Sequence, residues 1–99
     1  MIDTLPKEIV AMAAKYQVES YFSNINYSKD THLKKARGAE DWILLEVIHD
    51  FPKMKRFHDR LSLKDLYEVM KLSSDVDVTV EEINWGDEKE ITFYIRKKK

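Results

Sequence analysis

Two His-Asp pairs, His49-Asp50 and His58-Asp59, stand nine residues apart in the stretch VIHDFPKMKRFHDRL, with Lys53, Lys55 and Arg56 between them. Imidazoles and carboxylates can ligate metals, and lysines and arginines bind phosphate. A zinc site needs three or four ligands converging at about 2.0–2.2 Å, often with two of them four residues apart on one helix face. No His, Asp or Glu stands four residues from His49 or His58. Glu46-x-x-His49 supplies half of a di-metal carboxylate pattern, which takes Glu-x-x-His from two helices of a bundle. His32 and His58 have Lys29 and Lys55 at that spacing, so the other half is absent. The sequence therefore predicts no metal site and no cofactor. The histidines belong on the surface or at the core boundary, and Asp50 and Asp59 act as helix caps or solvated charges.

Other catalytic chemistry finds less support. Two glycines cannot build a glycine-rich phosphate cradle, there is no cysteine nucleophile, and no G-x-S-x-G elbow occurs. Carboxylate pairs exist at Glu81-Glu82 and Asp87-Glu88, but on a strand and a turn. General acid–base work needs a pKa displaced by burial or by a close like charge, and exposed carboxylates have neither. The chain is read as a non-enzyme.

Binding is what remains. Net charge is −1, yet residues 29–64 carry nine Lys/Arg against six Asp/Glu, residues 65–90 carry two against nine, and the chain ends in RKKK. Such asymmetry speaks to partners rather than fold. Lys53, Lys55, Arg56 and Arg60, with Phe57 among them, form a basic face suited to phosphates. Glu81, Glu82, Asp87 and Glu88, with Trp85 at the turn, form an acidic patch with an aromatic anchor, suited to a basic protein surface.

The elements that must carry these groups follow from spacing. Thr4 and Pro6 can open a first helix, in which Ile9, Met12, Ala13 and Tyr16 recur at helical spacing. Val18, Tyr21, Phe22 and Ile25 carry it to about residue 24, with a short strand at 18–27 as the competing reading. Asp30 can cap a short helix ending near Gly38. Residues 39–51 read as a mostly buried helix with Trp42, Leu45 and Ile48 on its face and Glu40 and Asp41 at its N-terminus, or with a buried strand at 42–48. Asp50 can cap the next helix, started by Pro52 and buried through Met54, Phe57 and Leu61. Ser62 and Asp65 stand as a capping box before Leu63, Leu66, Tyr67 and Met70. Finally Val76, Val78 and Val80, then Ile91, Phe93 and Ile95, alternate with polar residues around Gly86-Asp87, the pattern of a β-hairpin.

With 99 residues this is one domain, 1–99, stable by roughly 5–10 kcal/mol. No apolar run approaches the ~20 residues of a membrane span, and the lack of cysteine fits the cytoplasm. The expected fold is α+β, three to four helices packed on a C-terminal antiparallel hairpin. The expected function is a non-catalytic protein-binding module, a small regulator or inhibitor acting through the acidic hairpin and the basic 53–60 face. A second copy could also pair with the open hairpin edge. The alternative is a winged-helix-like nucleic-acid binder with 63–72 as recognition helix and 76–97 as wing. Three features rank it second. Its recognition helix offers no Arg, Asn or Gln for base edges. Its wing is acidic. Its inter-helix loop exceeds the usual short turn.

Overall fold

The computed structural model describes residues 4–98; the last lysine of the basic tail, Lys99, lies outside the described residues. Helix α1 runs Lys7–Tyr21, with Pro6 rather than Thr4 at its cap position. The Pro6 carbonyl accepts from the N–H groups of Ile9 and Val10, 3.0 and 3.1 Å away. The helix stops before residue 24 because Ser23 is extended and starts α2, Asn24–Lys29, its hydroxyl accepting from the Asn26 N–H. Residues 18–27 contain no strand.

The buried face of α1 differs from the expected one over its first half, while Val18 and Phe22 are buried as expected. Val10, Ala14, Val18 and Phe22 are buried, whereas Ile9 and Tyr16 are 52% and 60% exposed. Both stripes are apolar at helical spacing. Packing against later elements chooses between them, and that choice is invisible to local periodicity.

Asp30 caps α3, Thr31–Ala36, as expected, accepting from the N–H groups of His32 and Leu33 at 2.9 and 3.2 Å. The single element expected over 39–51 is three. A 3-10 turn spans Ala39–Asp41, strand β1 spans Ile43–Leu44, and helix α4 spans Leu45–His49. Glu40 and Asp41 take left-handed φ values of 54° and 68°, which bars a helix start there. The helix and strand readings of 42–48 each describe part of it.

A second 3-10 helix spans Pro52–Phe57 with Pro52 in its first turn. Asp50 closes α4 instead of capping this segment; Phe51 holds the cap position without a side-chain bond. Met54, Phe57 and Leu61 are buried as expected. Helix α5, Leu63–Met70, has the full reciprocal capping box between Ser62 and Asp65. The Ser62 N–H and the Lys7 ammonium both bond the Asp65 carboxylate, at 3.2 Å each, and hold its pKa below the ordinary value. A depressed folded pKa means stability that is present above the unfolded value of about 3.9 and fades as pH falls through the folded one. Ser62→Ala is expected to cost about 1 kcal/mol at neutral pH. The bond lost runs from the Asp65 N–H to the Ser62 hydroxyl and carries no charge, while the Ser62 N–H and Lys7 stay on the carboxylate, so the difference from wild type should stay nearly constant on acidification in parallel thermal melts.

Strands β2, Val76–Trp85, and β3, Glu88–Lys97, form the hairpin, and β1 adds a third antiparallel strand in the order β1-β3-β2. The register sets Ile43 opposite Ile95, and Val78 opposite the same Ile95 from the other side. Only the hairpin's base packs. Val76 and Ile95 are buried, whereas Val80 and Ile91 are 45% and 50% exposed. The architecture is α+β, with helices on a three-stranded C-terminal sheet.

Candidate nucleic-acid interface

The best-equipped concavity lies among α1, the α2–α3 junction and the end of α4, away from the hairpin tip. Tyr21, Asp30, His32, Phe51, Pro52 and Lys53 line a cavity of about 290 Å³. A second hollow, lined by Gln17 and Arg56, shares Pro52 and Lys53 with it, so the two form one groove.

Each wall has a local cause. Tyr21 is the last residue of α1, and Asn26 holds the chain end by donating from Nδ2 to the Tyr21 carbonyl at 2.8 Å. Asp30 is fixed by the α3 cap, and the same Asn26 amide reaches its other oxygen at 3.3 Å. That leaves His32 in the first turn of α3 with its side chain 86% exposed. Phe51 enters where Pro52 breaks the chain after α4. Its ring meets Tyr21 edge-on at 4.9 Å and His32 at 6.5 Å.

Charge is divided along the groove. Asp30 places a carboxylate among the rings, and Lys53 and Arg56 place cations at the other side. Burial first, and the Asp30 carboxylate second, raise the Tyr21 phenol above its usual pKa, while Arg56 and the Lys53 backbone N–H pull it partly back. Tyr21 therefore stays a neutral hydroxyl. A larger hollow of about 560 Å³ beside the sheet is walled by Trp42, Leu44, Val80 and Tyr94, but its one charged residue is Glu81. No cation is among its lining residues.

The expected site residues separate accordingly. Lys53 and Arg56 border the groove. Lys55 is exposed on the same 3-10 helix but lines neither hollow. Arg60 is taken up within the fold, donating from Nη2 to the Leu5 carbonyl at 2.8 Å. Glu81, Glu82, Trp85, Asp87 and Glu88 all lie on the exposed outer hairpin, away from the groove, with Glu82 ion-paired to Lys89. Helix α5, the would-be reading helix, turns Leu66, Val69 and Met70 inward and stacks Tyr67 on Phe93 of the wing at 4.7 Å.

Sequence reasoning missed Gln17, Tyr21, Asp30, His32 and Phe51 as one set. The available signal was an excess of rings at element ends, where a core explanation is weakest.

Helices followed by a long antiparallel hairpin are the arrangement of a winged-helix-like domain. Residues 14–84 match the La domain, and the chain belongs to that family. The La domain is an RNA-binding module of winged-helix type, not a catalytic family. The ranking of a protein-binding inhibitor above a nucleic-acid binder is thereby corrected. No helix among the described residues is long and apolar enough to cross a membrane.

Proposed function

We propose that the chain binds single-stranded RNA in the Tyr21–His32–Phe51 groove, at a strand end carrying free ribose hydroxyls. One observation carries this reading: three rings surround an immobilised carboxylate, with two cations to one side. Rings in a small cavity accept an unstacked base, at about 1–3 kcal/mol per base stacked. A duplex offers no splayed base to enter it. Asp30 accepts hydrogen bonds only and repels phosphate, so the sugar beside it is favoured when no further phosphate follows. The preceding phosphates then run toward Lys53 and Arg56. The 2′-hydroxyl gives Asp30 a donor that DNA lacks.

Fluorescence anisotropy with a short RNA, the same-sequence DNA and an RNA duplex tests this at several salt concentrations. The single-stranded RNA should bind tightest. Each phosphate neutralised on a single strand contributes about −0.7 to the slope of log K against log salt. Lys53→Ala and Arg56→Ala should each make the slope shallower by about that amount, and Lys55→Ala should leave it alone. Equal slopes for all three variants would remove the groove from the reading.

A further inference from the structure

The fold reunites the two His-Asp pairs that sequence spacing set apart. Among the described residues, one nitrogen each of His49 and His58 and one carboxylate oxygen of Asp50 lie within 4.8 Å of one another. The two imidazoles stack at 4.2 Å with planes 19° apart, and His58 Nε2 is 3.7 Å from Asp50 Oδ1. We propose that His49, Asp50 and His58 form a binding site for a divalent transition-metal ion, Zn²⁺ in particular, that ties the end of α4 to the end of the 3-10 helix.

The hydrogen bond on the His49 ring fits this use. His49 Nε2 is 3.1 Å from the Leu61 carbonyl. A carbonyl only accepts, so Nε2 carries the proton and Nδ1 keeps its lone pair. Metal-binding histidines are oriented in this way, the far nitrogen donating to a carbonyl or carboxylate. His58 Nε2 donates to the His49 carbonyl at 2.6 Å, and this is the nitrogen that faces Asp50, so His58 joins the site only when its ring turns and gives up that bond. Two imidazoles and one carboxylate form a borderline donor set that favours Zn²⁺, Co²⁺, Ni²⁺ or Cu²⁺ over Mg²⁺ and Ca²⁺. Three protein ligands leave the fourth tetrahedral position to water.

One adjustment is required. Nearly parallel rings aim their lone pairs side by side, and ligands on a tetrahedron with bonds of about 2.1 Å stand about 3.4 Å apart. One ring must turn and close the gap. His58 has the freedom, being exposed and following the 3-10 helix, whereas His49 is half-buried. The i, i+4 test missed the cluster because Pro52 folds the chain back, bringing ligands nine residues apart together from two elements.

The test uses the tag-free, chelator-treated full chain and Zn²⁺ alone. Calorimetry should show one saturable site, and Co²⁺ should give the visible absorption of a low-coordinate ion. With Zn²⁺ at about 100 times its Kd the melting temperature should rise by roughly 10 °C. His58→Gln and Asp50→Asn alter exposed side chains and should each weaken binding at least ~10-fold. Asp59→Asn, at the second pair's unused carboxylate, should bind as wild type. His49→Gln also disturbs the Leu61 contact, so the exposed pair of variants decides. No saturable binding by the wild-type chain, or undiminished binding by His58→Gln, overturns the proposal.

Discussion

His32→Ala is expected to weaken binding of short single-stranded RNA by roughly 5- to 150-fold, the equivalent of one lost stacking face at about 1–3 kcal/mol. The melting temperature should barely move. The His32 side chain is 86% exposed, with only an edge contact to Phe51 at 6.5 Å and a 3.9 Å approach to Asp30, and its backbone N–H bonds Asp30. Alanine keeps that N–H. Surface substitutions of this kind stay within about 0.5 kcal/mol, so a loss of affinity cannot be assigned to unfolding. Phe51→Ala could not give so clean an answer, because Phe51 also packs against the core. His32→Phe supplies the converse: if a ring face is what RNA uses, phenylalanine restores binding, and if imidazole chemistry is needed, it does not. Wild-type affinity in the alanine variant would take His32 out of the groove's work. Anisotropy titrations and thermal melts on the three proteins make the comparison.

How much of this was readable beforehand depends on where the deciding interactions lie. Ser62 with Asp65, and Asp30 before α3, were legible because a cap is made within three residues of chain. The alternation of Val76 to Val80 and Ile91 to Ile95 gave the hairpin for the same reason. The stripe Ile9, Met12, Tyr16 misled because α1 carries two apolar stripes and only contact with later elements selects one. Likewise β1 is two residues long, too short for any period, and exists only because Ile43 and Leu44 pair with Ile95 and Tyr94 some fifty residues on. The groove is the extreme case. Its walls come from the end of α1, the cap of α3 and the break after α4. No spacing rule links Tyr21, Asp30, His32 and Phe51. Lys53 and Arg56 could be singled out because charge is visible one residue at a time, but so could Lys55 and Arg60, and only the fold shows which of them border the groove.

Asp30 allows the sharpest division between support of the fold and contact with RNA. It caps α3 through bonds to the N–H groups of His32 and Leu33, and it puts a carboxylate in the groove. Asparagine is as good a cap as aspartate, and Oδ1 can accept the same two N–H groups. Its amide nitrogen meets Asn26 Nδ2 where Oδ2 accepted at 3.3 Å, a contact whose loss costs about 0.5–1 kcal/mol. Asp30→Asn should therefore fold with a slightly lower melting temperature, and Asp30→Ala, which loses the cap, should fall further by about 1 kcal/mol. For RNA the change is larger. A hydrogen bond from a ribose hydroxyl to a carboxylate is worth about 1.5–3 kcal/mol, so Asp30→Asn should lose roughly 10- to 150-fold for an oligonucleotide ending in free hydroxyls. An oligonucleotide ending in a 3′-phosphate, which the wild-type carboxylate repels, should be unaffected or gain. The ratio between the two ends, large in the wild type, should collapse toward one. If both lose equally, Asp30 acts only by holding His32 and the α3 turn in place. Binding at a strand end would then fail as a reading, while stacking of single-stranded RNA on the three rings would stand, because that rests on Tyr21, His32 and Phe51 alone.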